Sequence, residues 1–195
     1  MTTALARNQA ARRRRVLDAA VSLAVSGGFE AVQMRDVATE ADVALGTVYR
    51  YFSSKERLLL EVNIEQIDGL VTRLDRRPPR GDTPAERVKD VLRRANQALL
   101  KQREVTSAMV RALASSPPSE VDAVRKITVT MTGIITSAIG EECPTDDDLA
   151  RARIIMQVWL SSLVGWVGGV DPGERVHEDL DRAVDDLLDG ATVAR

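Results

Sequence analysis

The stretch at residues 34–55, MRDVATEADVALGTVYRYFSSK, constrains the fold more than any other part of the chain. The apolar stripe of Val37, Ala38 and Ala41 predicts one short helix over 34–41, and a second follows over 45–51. The intervening Asp42-Val43-Ala44 leaves room only for a tight turn. Two short helices joined by such a turn form a helix-turn-helix.

The second of these helices has an unusual outer face. Its inner face carries Val48 and Phe52, whereas its outer face carries a glycine, a hydroxyl, a guanidinium and phenols, with no carboxylate. These groups suit DNA, because glycine permits close approach and the others donate hydrogen bonds to phosphates or base edges. The predicted outer residues are Gly46, Thr47, Arg50 and Tyr51, with Tyr49 at the margin.

The residues GGFEAVQMRDVATEADVALGTVYRYFSSKERLL resemble the DNA-binding signature of the TetR family of bacterial repressors. The resemblance implies that Arg35, the second residue of the first short helix, enters the DNA groove. The alternative for Arg35 is a surface ion pair with Asp36 or Glu40, and for Tyr49 and Tyr51 it is a place in the core. The family usually has Ser or Thr at Ala44 and near residues 32–33, and the loss of such a cap costs about 1 kcal/mol of local stability.

Two basic features flank this stretch. Lys55 lies in the first turn of a predicted helix over 54–76, which opens with a capping box of Ser53 and Glu56. A lysine is unfavourable at a free helix N-terminus, but it suits a phosphate bound there. The four arginines at residues 12–15 either form a solvated helix start or contact flanking phosphates.

The charge is divided unevenly along the chain. The formal net charge is −2, but residues 1–60 hold 9 Lys and Arg against 6 Asp and Glu, and the remainder holds 18 against 23. A basic head on an acidic body is expected when one end meets phosphates. The single cysteine, Cys143, fits a reducing compartment. Since we find no signal peptide and no apolar run approaching about 18 residues, we expect a cytoplasmic protein without a membrane contact.

Strand signals are almost absent, and the sequence predicts an all-α fold of about nine helices. Residues 1–9 are predicted to be a disordered arm, and Gly27-Gly28 ends the first helix. A three-helix helix-turn-helix head occupies residues 1–53 and a helical body residues 54–195. The further predicted helices cover residues 10–26, 84–101, 104–115, 119–140, 146–167 and 174–188.

The middle helices of the body are rich in flexible methionines, which could line a pocket for an elongated apolar ligand. The candidate ligand-binding residues are Met109, Leu113, Met131, Ile135, Met156 and Trp159. An ordinary core is the alternative. TetR-like proteins bind an inducer between the long helices of this body, so the resemblance implies such a pocket. MQVWLSSLVGWV and VQMRDVA are also similar to the KstR type, the repressors of bacterial sterol catabolism, and this similarity implies a steroid CoA thioester as inducer.

The last two helices carry apolar stripes, and the resemblance makes them a four-helix interface between two copies of the chain. The candidate interface residues are Leu163, Trp166, Leu180, Val184 and Leu187. The alternative places both tryptophans in the core of one copy. A two-fold homodimer would fit a palindromic double-stranded operator.

An enzyme is not indicated, because the sequence offers no set of reactive groups that would meet at one site. The single histidine, His177, lies among acidic residues near a helix start, and Cys143 precedes Pro144 with no candidate base nearby. No glycine-rich phosphate loop or Cys/His metal spacing occurs, so we predict no catalytic residue, metal or cofactor. The sequence therefore predicts a DNA-binding regulator, a repressor released by a small apolar ligand. The alternative is a helical adaptor that does not bind DNA.

Overall fold

The computed structural model describes residues 4–140 and 144–189, so Cys143 lies outside the described part. Within these ranges the chain forms nine α-helices and no strand, which confirms the all-α prediction. A 3₁₀ turn, Pro118–Glu120, precedes α7, and a π-helical turn, Asp185–Asp189, follows α9. The helices are α1 (Ala4–Ala31), α2 (Met34–Glu40), α3 (Leu45–Tyr51), α4 (Lys55–Arg76), α5 (Pro84–Lys101), α6 (Arg103–Ser115), α7 (Val121–Ile139), α8 (Asp146–Val167) and α9 (Gly173–Val184).

The start of α1 differs from the prediction. Residues 4–9 are helical, so the predicted disordered arm is wrong over this segment. Ala4, Leu5, Ala6 and Arg7 are strong helix formers, and they extend the helix toward the N-terminus. The backbone leaves the helical conformation at Gly27 and Gly28, where the sequence predicts the helix to end. Gly28 has φ 64°, a conformation that favours glycine.

The N-terminal cap of α4 lies one residue later than predicted. The Arg57 backbone N–H donates to Ser54 Oγ at 3.0 Å, so Ser54 is the cap and the predicted Ser53–Glu56 box is wrong. The Ser53 hydroxyl instead donates to Glu120 Oε1 at 3.0 Å. A contact with a residue 67 positions away in the chain thus decides which of two adjacent serines caps the helix.

Two other helices begin with reciprocal caps. At α5, the Glu86 backbone N–H donates to Thr83 Oγ1, and the Glu86 carboxylate accepts from the Asp82 and Thr83 N–H groups. These two backbone hydrogen bonds lower the pKa of Glu86. At α8, Thr145 and Asp148 form a capping box that the sequence analysis did not identify.

The chain forms two compact units. The first contains the chain up to Glu65 together with Gln102–Val124, and the second contains Gln66–Lys101 and the chain from Arg125 onward. In the first unit α6 packs along α1, and α2 packs on α1 and α3. In the second unit α9 packs against α5 and α8. This division by packing differs from the predicted division by function, whose boundary between residues 53 and 54 stays a prediction.

Each unit has its own apolar core. In the first unit Phe52 is buried where the last residues of the helix-turn-helix meet α1, and the Arg13 guanidinium lies 5.4 Å from the centre of its ring. In the second unit Val176, Leu180 and Val184 are fully buried along one face of α9. No helix in the described ranges combines the length and the apolar character needed to cross a lipid bilayer.

Candidate nucleic-acid interface

The helix-turn-helix is built by α2 and α3. Val37 and Ala38 of α2 and Val48 of α3 are buried on its inner side. The turn between the helices contains Asp42 at φ 51°, a left-handed conformation that aspartate tolerates better than most residues. The Val43 N–H closes the turn on the Ala38 carbonyl at 3.0 Å. Two short helices are therefore held at a fixed angle, with one face of α3 left to the solvent.

The exposed face of α3 contains the residues that the sequence predicts there. Gly46, Tyr49 and Arg50 are exposed, and Thr47 is half-buried. A Cβ built on Gly46 would meet no atom within 4 Å. The fold of the free protein therefore does not need a glycine at this position, and its missing side chain leaves room for a surface that approaches α3 closely.

The two tyrosines of α3 are placed differently from the prediction. Tyr49 is 51% exposed, whereas Tyr51 is half-buried and donates its hydroxyl to the Gln9 carbonyl of α1 at 3.4 Å. The Tyr51 ring also lies 6.2 Å from the Phe52 ring and 5.4 Å from the Arg50 guanidinium. Tyr51 is the last residue of α3, where the chain turns back toward α1. A helical wheel assumes that the helix continues, and it therefore placed Tyr51 on the outer face.

Two arginines on this side of the first unit have no carboxylate partner among the described residues. Arg35 of α2 and Arg50 of α3 are both exposed. The ion pair of Arg35 with Asp36 or Glu40 that the sequence offered as an alternative does not form in the described part of the chain, and Glu40 accepts a hydrogen bond from Ser22 at 3.1 Å. Both guanidiniums are thus available to an anionic partner such as a phosphate.

Lys55 contacts the end of α1. Its ammonium donates to the Phe29 carbonyl at 3.2 Å, lies 3.9 Å from the centre of the Phe29 ring, and is 3.9 Å from a Glu30 carboxylate oxygen. The lysine side chain is only 17% exposed. In the free protein Lys55 therefore joins the first turn of α4 to α1, and its contact with a phosphate stays a prediction.

The four arginines at residues 12–15 make different contacts. Arg13 pairs with Glu61 and Glu65 of α4, and Arg14 pairs with Asp18 and Glu65. Arg15 donates to the Ala41 carbonyl at the end of α2 at 3.1 Å. Arg12 is exposed, with no carboxylate partner among the residues described. Three of the four thus hold α1 to its neighbours in the free protein, and contact of residues 12–15 with flanking phosphates stays a prediction.

A chain of charged groups links α1, α4 and the 118–120 turn within the first unit. Arg13 and Arg57 both contact the Glu61 carboxylate, and Arg57 also donates to Glu120 at 3.1 Å. Burial alone would lower the pKa of Arg57, but the hydrogen bonds to Glu120 and Glu61 outweigh it and raise that pKa. Glu120 is 5% exposed and accepts from both Arg57 and Ser53. The sequence analysis missed Glu120, since a glutamate in the first turn of a predicted helix gives no sign of a partner 63 residues earlier in the chain.

The candidate ligand-binding residues are divided between the two units. Met109 and Leu113 belong to the first unit, and the other four belong to the second. Met131, Ile135 and Trp159 are buried there, and Met156 is half-buried. The structure also connects Trp159 to a polar residue that the sequence analysis missed, because its indole N–H donates to Asn96 Oδ1 at 2.7 Å. Asn96 is a polar residue within the buried apolar stripe of α5, and this interruption of the stripe could have identified Asn96 from the sequence.

The candidate interface residues are mostly part of the core of their own chain. Leu163, Trp166, Leu180 and Val184 are at most 9% exposed within a single copy, as the alternative reading of the tryptophans predicts, and Leu187 is half-buried. The apolar residues that α8 exposes are Leu149, Ile154, Leu160 and Val164. Leu149, Leu160 and Val164 fall within one arc of the helix, because residues 11 and 15 positions apart are offset by only about 20° and 60° around its axis. A second copy could contact this exposed face without disturbing the core.

Comparisons with known proteins agree with this geometry. Residues 16–62 match the profile of the bacterial regulatory proteins of the tetR family, and residues 81–187 match the tetracyclin repressor-like C-terminal domain. The chain is 41% identical over 183 residues to the HTH-type transcriptional repressor KstR of Rhodococcus jostii strain RHA1, a match covering 92% of this chain and 84% of that protein. The predicted resemblance to KstR-type repressors is thereby confirmed.

Solved structures show the same fold. The crystal structure of a TetR transcriptional regulator from Rhodococcus sp. RHA1 has a TM-score of 0.85 at 33% identity, covering 93% of this chain and 97% of that one. The regulator FadR from Bacillus subtilis, solved in complex with stearoyl-CoA, has a TM-score of 0.67 at 21% identity, covering 91% and 98%. The helix-turn-helix, the helical body and these matches together establish that the chain belongs to the TetR family of bacterial regulatory proteins.

Proposed function

We propose that this protein is a cytoplasmic homodimeric repressor that leaves a palindromic operator when a small apolar ligand binds in its helical body. The exposed face of α3 carries this proposal, because Gly46, Thr47, Tyr49 and Arg50 combine a close-approach surface with hydrogen-bond donors. No carboxylate lies on that face to repel phosphates. The exposed guanidiniums of Arg35 and Arg50 add the positive charge that DNA binding needs.

The mechanism has two states. In one state a homodimer places two α3 helices in successive major grooves, about 34–36 Å apart. In the other state, bound ligand favours a different spacing and DNA affinity falls. Linkage requires that operator DNA weaken ligand binding by the same factor. An unchanged ligand affinity in the presence of saturating operator would contradict this scheme.

Two ligand classes follow from the relatives. The resemblance of the sequence to KstR-type repressors implies a steroid CoA thioester as one candidate, and the FadR complex with stearoyl-CoA makes a fatty acyl-CoA the other. Both have an apolar body attached to a polar anionic head. The apolar part suits the apolar interior of the second unit, where Met131 and Ile135 are buried.

The proposal is tested by measuring DNA binding with fluorescence anisotropy over a range of salt concentrations. The DNA is the region upstream of the gene for this protein, or a site selected from random sequences. We expect Arg50→Ala to weaken specific binding at least about 10-fold, since a good bidentate contact is worth about 1–3 kcal/mol. Arg182→Ala removes the same charge from the exposed surface of α9 and serves as the matched control.

Three outcomes are informative. Equal loss in both variants would mean that Arg50 acts only through net charge. No binding to any DNA by the folded wild-type dimer would contradict the proposal and favour the adaptor. Binding that no steroid or fatty acyl-CoA relieves would leave a DNA-binding protein and contradict the ligand part alone.

A further inference from the structure

The side chain of Asn96 is fully buried in the second unit, on the inner face of α5. Its Oδ1 atom accepts a hydrogen bond of 2.7 Å from the Trp159 indole of α8. An indole N–H can only donate, so this contact determines which end of the amide is the oxygen. The other end is therefore the NH₂ group, a donor that points away from Trp159.

Among the described residues, this NH₂ group has no hydrogen-bond acceptor. Of the buried side-chain nitrogen and oxygen atoms in residues 4–140 and 144–189, only Asn96 Nδ2 lacks a hydrogen-bond partner. Other buried polar side chains of the second unit are satisfied: Thr136 donates to the Thr132 carbonyl, Ser162 donates to Asp179, and Asp148 belongs to the α8 capping box. Buried donors without a partner are rare in folded proteins, and each one calls for a physical reason.

We propose that Asn96 is the polar anchor of the ligand site, with its NH₂ group donating to an oxygen on the apolar part of the ligand. This inference rests on the proposed function, since it requires a ligand in the helical body. Trp159 has a positioning role, because its N–H holds the amide with the donor facing the ligand. Leu92 and Ile155 are buried on the same two helices and would contact the apolar surface around that oxygen.

The chemistry of the donor limits the ligand. An amide NH₂ recognises a carbonyl or hydroxyl oxygen, and it gives no preference to a plain hydrocarbon. In a fatty acyl-CoA the oxygen nearest the apolar chain is the thioester carbonyl, and in a steroid it is a ring ketone or hydroxyl. The shared element is one oxygen acceptor on an otherwise apolar body.

The test compares ligand pairs that differ only in this oxygen. The first pair is stearoyl-CoA and its S-octadecyl thioether analogue, and the second is cholest-4-en-3-one and cholest-4-ene. Dissociation constants are measured by calorimetry for the wild-type protein, for Asn96→Leu and for Thr136→Val. The last variant is the control, because it removes a buried polar group that is satisfied within its own helix.

We expect the wild type to bind the oxygenated member of at least one pair about 10-fold more tightly, as one net hydrogen bond predicts. Asn96→Leu should abolish this preference, and Thr136→Val should keep it. The pair that shows the preference identifies the source of the oxygen. The side-chain amide resonances of Asn96 in the wild type should also shift with the oxygenated ligand and not with its partner, so the test does not depend on the folding of a variant.

The contradicting results distinguish a failure of the Asn96 anchor from a failure of the proposed function. Wild-type binding without preference, or an equal loss of both members of a pair in Asn96→Leu, would assign Asn96 a structural role only. If no member of either pair binds to wild-type protein that still binds its operator, the ligand part of the proposed function fails, and the anchor fails with it.

Discussion

The hydroxyl of Ser53 donates a 3.0 Å hydrogen bond to the buried carboxylate of Glu120, 67 residues further along the chain. Ser53 lies two residues beyond the end of α3, and Glu120 ends the 3₁₀ turn that precedes α7. The same carboxylate binds Arg57 in the first turn of α4. One side chain thus holds both the end of α3 and the start of α4.

This relationship predicts a measurable coupling between Ser53 and Glu120. Ser53→Ala, Glu120→Ala and the double variant form a thermodynamic cycle, and we expect a coupling free energy of unfolding of about 0.5–1.5 kcal/mol. Glu120→Ala alone should destabilise by more than Ser53→Ala, since it also removes a partner of Arg57. The measurement is chemical denaturation followed by circular dichroism.

The matched control for the carboxylate is Glu174→Ala, which changes an exposed glutamate at the start of α9. It should show no coupling with Ser53→Ala. If the two substitutions at Ser53 and Glu120 are additive, the hydrogen bond between them contributes nothing to stability. Operator affinity should also fall in Glu120→Ala, since the end of α3 loses its tether.

Gly46→Ala should stabilise the protein and weaken DNA binding. A helical Gly→Ala change gains up to about 1 kcal/mol, and the new Cβ meets no atom of the free protein within 4 Å. We expect a loss of operator affinity of about 10-fold or more, because the methyl group occupies space that the approaching DNA needs. Thermal unfolding and anisotropy measure the two effects separately.

Gly133→Ala is the matched control, because a Cβ at Gly133 of α7 also meets no atom within 4 Å. It should raise the melting temperature without changing DNA affinity. If Gly46→Ala binds operator as tightly as the wild type, close approach at Gly46 is not part of recognition.

Ala44→Ser should supply a helix cap that α3 lacks. Ala44 is the N-cap residue, its φ of −64° and ψ of 144° suit a capping side chain, and it makes no cap hydrogen bond. A serine there should add about 1 kcal/mol to the free energy of unfolding, or about 2–4 °C for a chain of this size. A serine at the exposed, non-capping Ala114 of α6 should give no such gain.

The local parts of this fold were predictable from sequence. The bounds of α2, α3 and α8 agree with the predicted ones to within a residue, because short-range periodicity, turn residues and breakers decide them. The same reasoning failed where a distant residue intervenes. Ser53 and Ser54 are chemically equivalent as caps, and only the contact with Glu120 separates them.

The exposed face of α3 was predicted largely correctly, whereas the interface role of the apolar stripe on α8 and α9 stays a prediction. Leu163 and Trp166 form a stripe that periodicity detects, yet periodicity cannot say whether another helix of the same chain or a second copy covers it. Here α9 packs on α8 within the same unit. The pairing of Asn96 with Trp159 was equally out of reach, since 63 residues separate them.

A charged residue on the exposed face of α8 should prevent dimerisation while leaving the fold intact. Val164 is 49% exposed next to Leu160 on this face, so Val164→Glu buries no charge in a single copy but would bury one in an interface. We expect a monomer in analytical ultracentrifugation, helical content like that of the wild type, and loss of tight operator binding.

Val170→Glu, at an 81% exposed position just beyond α8, makes the same change off this face and should remain dimeric. Leu180→Glu, in contrast, should unfold the second unit, because Leu180 is 2% exposed in the single chain. A Val164→Glu protein that stays dimeric would move the interface elsewhere, whereas a folded monomer of Leu180→Glu would restore the interface predicted from sequence.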